Sequence, residues 1–310
     1  SKFLEQSSQD LIRPVSVLHY KELLQGEAYF KDFYKTGWFV DVMTDNISLT
    51  DMGLPSTLVN TKVEYSKFAY QWGEDLESPM GTFTDRLFQH LYKNILAANT
   101  CLESIGEMEG SDAEKRVLQG QARFTRAYGY FVLANLYAQA YNEAEDDDPC
   151  VPLITETTPS LKRFGRATIQ EVWNVIKTDI SGAVEDLSED GEFRSIYEIN
   201  YKAALLLASR VFLYTGDYDK VIDYGEKFLL LNPALKDITS ITASPTTTST
   251  FANNTFLHPS TNPEAVFTFG RFTSNVVEGG YVYYTKEIVG LAPTSYGVSS
   301  GVESGLIDTY

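Results

Sequence analysis

Apolar residues recur at helical spacing through the first two thirds of the chain. The clearest row covers several turns, and its members are Phe83, Leu87, Leu91, Ile95, Ala98 and Leu102. Because residues three and four positions apart share one face of an α-helix, this row predicts an amphipathic helix. Gly106 and Gly110 predict its end. A weaker row between Val17 and Phe33 predicts a helix near the start of the chain.

A second long helix is predicted to follow directly. Ser111 and Glu114 have the spacing of a capping box, in which each side chain binds the backbone N–H of the other residue. The helix should run to about Tyr141. From Ala127 to Ala138 it is apolar on nearly all sides, which predicts a helix packed between others. Gly120 would let one of these neighbours approach closely.

Two later helices form a recognisable repeat. A third helix is predicted to begin at a capping box at Thr168, and residues 201–233 then fit the tetratricopeptide pattern, with a turn at Gly216 and a closing Pro233. A helix pair of this kind cannot bury its apolar face alone, so pairs stack on one another. The sequence therefore predicts a mainly α fold, a tetratricopeptide-like α–α superhelix over residues 84–235. The residues expected to be nearly fully buried are Leu205, Phe212 and Val221.

The remaining segments lack helical periodicity. Residues 36–80 and 236–310 contain short apolar stretches that Gly, Pro, Asp, Asn, Ser and Thr interrupt. That composition predicts loop-rich insertions. Short strands are expected at Ala265–Phe269 and Tyr281–Tyr284, where apolar and aromatic residues cluster.

Charge and composition narrow the classes of function. The formal net charge is −17, and a field of that sign repels nucleic acids. The chain contains 20 Tyr and 18 Phe, and tyrosine joins a flat apolar face to a hydroxyl, which suits ligands such as sugars. No segment is long and apolar enough to predict a transmembrane helix. Cys101 and Cys150 lack zinc-ligand spacing, and the sequence leaves open one disulfide or two free buried thiols.

One sequence match points to catalysis and is rejected. Gly297–Gly301 fits the Gly-x-Ser-x-Gly pattern of a nucleophile elbow, with Ser299 at its centre. That nucleophile needs a later histidine as its base, but His19, His90 and His258 all precede it. We therefore predict a flexible turn at this segment and a protein that is not an enzyme.

Clustered carboxylates allow two further interpretations. Paired carboxylates are the catalytic groups of glycosidases, and Glu74 with Asp75 or the acidic loop Glu143–Pro149 would be the candidates. A run of this kind is usually a solvated loop. A calcium site is the sharper alternative, because hard cations prefer clustered carboxylate oxygens, although the spacing does not match an EF-hand. The candidate calcium ligands are Asp146, Asp147 and Asp148. No other cofactor is predicted.

Two aromatic clusters outside the helices contain the candidate ligand-binding residues. Sugar sites combine an aromatic face, which stacks on the sugar ring, with polar groups that bind the hydroxyls. The first cluster contains Phe68, Tyr70, Trp72, Glu74 and Asp75, and the second contains Tyr281, Tyr283, Tyr284 and Tyr296. If the first is a strand, its alternation places the three rings on one face. In the competing interpretation each cluster is a core-facing strand.

Several motifs, in this order along the chain, resemble the SusD/RagB family of outer-membrane nutrient-binding lipoproteins. The most specific is Gly120-Gln121-Ala122-Arg123-Phe124-Thr125-Arg126-Ala127, in which Gln121 and Thr125 depart from the family's usual Glu and Leu. The others are Lys2-Phe3-Leu4-Glu5, Leu91–Asn99, Val151-Pro152-Leu153, Arg166-Ala167-Thr168, Glu171-Val172-Trp173 and the repeat at 201–233. We expect Arg123 and Arg126, on a buried helix, to form structural ion pairs.

The resemblance implies a location and a function. Such a protein is lipid-anchored on the surface of a Gram-negative outer membrane, through a cysteine that would directly precede Ser1. It captures a nutrient, here expected to be a glycan, and delivers it to a SusC-like TonB-dependent transporter. The competing hypothesis is a repeat-scaffold adaptor that binds peptide in a helical groove. The predicted inner helix, Lys202–Tyr214, offers few of the Lys, Arg and Asn side chains that such a groove usually presents.

The resemblance also implies how the chain is organised. Residues 1–310 are expected to form a single SusD-like domain. Its helical scaffold should carry two loop-rich regions, 36–80 and 236–310, and these regions should form the ligand surface. Chains of the family normally continue well past residue 310, so a shortened C-terminus is expected.

Overall fold

The computed structural model describes residues 14–29, 40, 43, 69, 71–73, 82–157, 164–188, 195–237 and 262–268, with the side chains of 82–85 excepted. Within these ranges the regular secondary structure is helical and there is no strand. The helices are α1 (Val17–Glu27), α2 (Thr82–Ser104), α3 (Asp112–Tyr137), α4 (Ile169–Ser188), α5 (Tyr201–Tyr214) and α6 (Tyr218–Leu231). The predicted mainly α architecture is confirmed.

The chain divides into two compact units. The first comprises Ser1–Tyr29, Lys93–Arg194 and Ile199–Leu229, and the second comprises Phe30–Tyr92, Ser195–Glu198 and Leu230–Tyr310. The first unit therefore holds α1, α3, α4 and α5 together with large parts of α2 and α6.

Both predicted capping boxes are formed. The Ser111 hydroxyl accepts from the backbone N–H of Glu114 at 3.3 Å, and the Glu114 carboxylate accepts from the N–H of Ser111 at 2.9 Å. At the start of α4 the corresponding distances between Thr168 and Glu171 are 3.1 and 2.9 Å. These bonds satisfy N–H groups that have no partner inside the helix, so the starts of α3 and α4 are fixed by local sequence. Tyr137 ends α3 earlier than the apolar pattern predicted.

The core of the first unit is centred on α3. Twelve of the 26 residues of this helix are buried, as the nearly continuous apolar sequence predicted. On α4, Trp173 is buried, and its ring meets that of Phe131 edge-on with centroids 5.8 Å apart. At Gly120 a Cβ atom would lie only 2.7 Å from Cγ of Leu187. The glycine is therefore required for the close approach of α3 and α4.

The repeat formed by α5 and α6 is buried on one side only. Gly216 makes the turn between the helices with a φ of 73°, a conformation that glycine adopts without strain. Leu205 and Phe212 are buried as predicted. The prediction for Val221 was wrong, because this residue is only half-buried. It lies on α6, a helix without any buried residue.

The strand predicted at Ala265–Phe269 was also wrong. In Ala265–Phe269 the described residues, 265–268, form no strand. The N–H of Thr268 donates one hydrogen bond to the carbonyl of Ile196 at 2.7 Å, and one such bond does not make a ladder. Tyr281–Tyr284 lies outside the described residues.

The two cysteines are free thiols. Cys101 and Cys150 are both buried and unbonded to each other, which decides between the two alternatives that the sequence left open. Burial raises the pKa of the Cys101 thiol to about 12 and also raises the pKa of Cys150.

Candidate functional site

Of the residues in the two predicted aromatic clusters, the structure describes Trp72. Its side chain is 68% exposed. Its backbone N–H donates to the carbonyl of Ala69 at 3.1 Å, which closes a tight turn behind the buried Ala69 side chain. The φ of Trp72 is 53°, in the left-handed region that a bulky residue rarely adopts. Backbone conformations of this kind are found preferentially at ligand-binding and active sites.

The predicted strand alternation around Trp72 was wrong. Ala69 is helical and residues 71–72 form a turn, so the described part of this segment is not a strand. The remaining predicted site residues lie outside the described residues; they are Tyr70, Glu74, Asp75, Tyr281, Tyr283, Tyr284 and Tyr296. The same holds for Ser299.

The acidic loop before α4 supports the start of that helix. The carbonyl of Asp148 accepts from the N–H of Ile169 at 2.8 Å, and the carbonyl of Asp146 accepts from the N–H of Gln170 at 3.1 Å. The Asp146 carboxylate also accepts from Nε2 of Gln170 at 3.1 Å. Carboxylates are favourable at this end of a helix, where the dipole is positive. Asp147 is exposed, and the described part of the chain holds no cluster of three His, Cys, Asp or Glu side chains suited to a metal ion.

The second arginine of the family motif is the centre of a buried polar network. Arg126 binds both carboxylate oxygens of Asp179, at 2.7 and 2.9 Å, and donates to Oδ1 of Asn99 at 3.0 Å. Nδ2 of Asn99 donates in turn to the carbonyl of Ile154 at 2.9 Å. The Tyr130 hydroxyl donates to the same carbonyl at 2.8 Å and accepts from the N–H of Ile154 at 2.7 Å. The network therefore fastens the segment after α3 to three helices.

The first arginine of the motif also has a structural partner. Nη1 of Arg123 donates to the carboxylate of Asp186 at 2.8 Å, so the ion pairs predicted for both arginines are confirmed. The guanidinium crosses α4 at Gly182, where a Cβ atom would lie 2.6 Å from Nη1. Burial raises the pKa of Asp186, against the opposing effect of the Arg123 charge.

The motif Arg166-Ala167-Thr168 fixes the segment that connects α3 to α4. Arg166 donates to the carbonyl of Cys150 and, at 2.9 Å, to the carbonyl of Tyr137. The N–H of Cys150 donates to the carbonyl of Ala167 at 2.7 Å. Arg123, Arg126 and Arg166 of the family motifs are thus each engaged in holding the described scaffold together.

A polar cleft in the first unit was not predicted from the sequence. It has a volume of about 740 Å³ and runs along one face of α4. The residues of α4 that line it are Asn174, Lys177, Thr178, Ser181, Gly182 and Glu185. These polar residues are three and four positions apart, which places them on one face of the helix, as the same spacing does for apolar residues. The apolar periodicity on which the sequence prediction of α4 rests does not indicate this polar face. The opposite wall includes Phe212, Asp217 and Lys220.

The stacked helix pairs and the motif network define a tetratricopeptide-like scaffold. A SusD-like family model, described as "starch-binding associating with outer membrane", matches residues 2–213. This is more than half of the chain, and the chain therefore belongs to the SusD-like family, whose members are carbohydrate-binding, non-catalytic proteins. No curated protein matches the chain in sequence.

Solved structures of the family have the same fold. A SusD-like carbohydrate-binding protein from Bacteroides vulgatus superposes with a TM-score of 0.61 at 20% identity, over 82% of this chain and 50% of the other. A laminarin-binding SusD-like protein gives a TM-score of 0.52 at 17% identity, over 73% and 46%. Surface glycan-binding protein A from Bacteroides uniformis gives 0.52 at 16% identity, over 72% and 48%. The chain spans about half the length of these proteins.

The described helices give no sign of a membrane span, because none combines sufficient length with sufficient hydropathy.

Proposed function

We propose that the protein is a cell-surface glycan-binding protein, which captures an oligosaccharide and delivers it to a SusC-like TonB-dependent transporter. Membership of the SusD-like family supports this proposal. So do the names of two structural relatives, one for laminarin binding and one for binding of surface glycans.

The observation in the chain itself that carries the proposal is the exposed indole of Trp72. A sugar ring presents a face of C–H groups that packs on an aromatic ring, and indole offers the largest such face among the side chains. The turn at Trp72 presents this ring to solvent. The neighbouring carboxylates of Glu74 and Asp75 are the proposed partners for sugar hydroxyls, and Tyr70 is a proposed second ring.

The proposal extends to the rest of the ligand surface and to the location. The ligand surface is assigned to the loop-rich regions 36–80 and 236–310, with the second cluster, Tyr281–Tyr284 and Tyr296, as an alternative platform. The location is the outer surface of the outer membrane, with a lipid anchor, as the family relationship leads us to expect.

Substitution of Trp72 by Ala tests the site. An aromatic anchor in a binding site is worth roughly 2 kcal/mol, so the affinity for glycan should fall more than about tenfold. Titration calorimetry against starch and laminarin measures the loss. The thermal midpoint should hardly change, because the side chain is mostly exposed. Phe164→Ala is the matched control, since Phe164 is an aromatic residue that is 51% exposed outside both proposed sites, and it should bind normally.

The opposite result identifies Trp72 as a structural residue. A Trp72→Ala protein that unfolds at lower temperature, yet binds glycan normally per folded molecule, would remove the site from this turn. The search would then move to the second aromatic cluster.

The transporter partnership has a separate test. Gentle detergent extraction of the lipid-anchored protein from outer membranes should recover a β-barrel transporter with it. Recovery of the protein without any barrel, under conditions that preserve other membrane complexes, would contradict delivery to a transporter while leaving glycan binding unaffected.

A further inference from the structure

We propose that the polar cleft along α4 is a second carbohydrate-binding site, which takes a neutral oligosaccharide by hydrogen bonding to its hydroxyls. This inference rests on the proposed function, since it assigns a glycan to a second place on the same protein. The volume of the cleft, about 740 Å³, lies within the roughly 300–1,000 Å³ of small-molecule sites. The cleft lies entirely within the first unit.

The wall formed by α4 offers both donors and acceptors. The side chains of Asn174 and Thr178 and the carboxylate of Glu185 have no hydrogen-bond partner among the residues that the structure describes. The Lys177 side chain has none either, and its Nζ lies 5.5 Å from the centroid of the Tyr141 ring, so its N–H groups are available to a hydroxyl. Lys177 and Glu185 are eight positions apart, which places them about 12 Å apart along the helix axis. Sugar hydroxyls both donate and accept. An oligosaccharide along α4 would therefore find a donor near one end and an acceptor near the other.

The charges around the cleft favour a neutral ligand. Nη1 of Arg123 is 2.8 Å from the carboxylate of Asp186, and Nζ of Lys220 is 3.2 Å from the carboxylate of Asp217. The two remaining charges, Lys177 and Glu185, are opposite in sign. The cleft is thus balanced in charge, on a chain whose formal net charge is −17. Neither a sulfated or uronic-acid sugar nor an acidic peptide would gain from such surroundings.

The walls favour a sugar over a peptide. Extended peptides are held through pockets for apolar side chains as well as through their backbones. The apolar side chain of the lining, Phe212, is only 1% exposed. Nζ of Lys220 lies over its ring, 4.4 Å from the centroid. Because no open aromatic face is available for stacking, we expect this site to bind more weakly than the Trp72 turn.

Calorimetry in the Trp72→Ala background tests the second site. Maltohexaose and laminarihexaose, six-sugar fragments of starch and laminarin, are the probes. The probe is chosen by the polysaccharide that the wild type binds: maltohexaose for starch and laminarihexaose for laminarin. Trp72→Ala protein should retain weak binding of that hexasaccharide. Adding Asn174→Ala and Lys177→Ala should weaken that residual binding at least about tenfold, since two hydrogen bonds are lost and one of them is to a charged group.

A lysine elsewhere in the first unit provides the matched control. Trp72→Ala combined with Lys115→Ala removes the same charge from α3, outside the cleft, and should keep the residual binding. Denaturant unfolding of each variant shows whether it is folded at the temperature of the titration. As an independent readout, amide shifts in the Trp72→Ala protein on titration with the hexasaccharide should be centred on α4 and on the turn between α5 and α6.

The outcomes separate this inference from the proposed function. Wild-type protein that binds no glycan would overturn both, and wild-type protein that binds only charged glycans would overturn the second site alone. Wild-type binding that disappears entirely in Trp72→Ala, or residual binding that the α4 substitutions leave unchanged, would overturn the second site alone. A peptide whose binding is lost with the α4 substitutions, while oligosaccharide binding is unaffected, would assign the cleft to a different ligand and would also overturn it.

Discussion

Helices α3 and α6 both contain many apolar residues, but they differ greatly in how many of their residues are buried. Twelve of the 26 residues of α3 are buried, whereas α6 has none. The apolar residues of α6 are nevertheless large, and Ile222 and Leu229 are each 58% exposed. Helix α6 contacts α5 through the stacked rings of Phe212 and Tyr224, but the described part of the chain covers none of its residues fully.

The comparison of α3 with α6 shows which kind of residue carries the family resemblance. The motif that identifies the family lies on α3, and its side chains make long-range contacts such as the pair of Arg126 and Asp179. Residues in such a position are constrained by packing whatever ligand the protein binds. Trp72 lies outside the α3 motif, so that motif carries no information about a ligand bound at this turn.

The largest effect is expected from breaking the network of α3. Arg126→Met leaves the Asp179 carboxylate buried without its partner, which should lower the free energy of unfolding by about 3–5 kcal/mol. Urea unfolding measures the change. Adding Asp179→Leu should restore much of the loss, because replacement of a whole buried pair is tolerated far better than removal of one member. A single-variant loss below about 1 kcal/mol would show that the pair is not desolvated.

Replacement of one glycine by Ala in α3 or in α6 should change the free energy of unfolding by an intermediate amount, with opposite signs in the two helices. Gly120→Ala places a Cβ atom 2.7 Å from Leu187, and overpacking of this kind should cost about 1–3 kcal/mol. Gly225→Ala in α6 meets nothing closer than Oγ of Ser209 at 4.0 Å. It should stabilise the protein by about 0.5–1 kcal/mol, the difference in helix propensity. Equal effects at the two positions would contradict the close approach of α3 and α4.

The smallest effect is expected on the open face of α6. Ile222→Ser should change the free energy of unfolding by no more than about 0.5 kcal/mol, as is usual for an exposed position. Denaturant unfolding of this variant beside the wild type is sufficient. A loss above about 1 kcal/mol would mean that α6 is covered in the folded protein, and the contrast with α3 would then disappear.

Much of the helical scaffold could be predicted because its determinants are local. The capping boxes at Ser111 and Thr168, the turn at Gly216 and the apolar face of α2 each depend on residues within a few positions of one another. The burial of Val221 was predicted incorrectly, since the repeat pattern assumes a further neighbour for α6. The strand at Ala265–Phe269 failed for a related reason, because apolar composition does not provide a partner strand.

The candidate site was much harder to predict. An exposed Trp72 was one of two interpretations that the sequence left open, the other being a core-facing strand. Its left-handed turn depends on backbone geometry that the alternating aromatic pattern did not indicate. The cleft along α4 needs α5 and the start of α6 for its second wall, and those residues are about 30 to 45 positions away. Likewise, no local pattern indicates that Asn99 binds the carbonyl of Ile154, 55 residues later.

The burial of both cysteines has a practical consequence for following the protein in solution. Thiol reagents attack the thiolate, and a thiol with a pKa of about 12, as at Cys101, carries almost none at neutral pH. Cys150 is likewise buried, with a raised pKa. Because the sequence has no further cysteine, a single cysteine introduced at an exposed position would be the reactive one. Residues 1–310 are therefore a ready background for attaching one fluorophore or spin label at a chosen point.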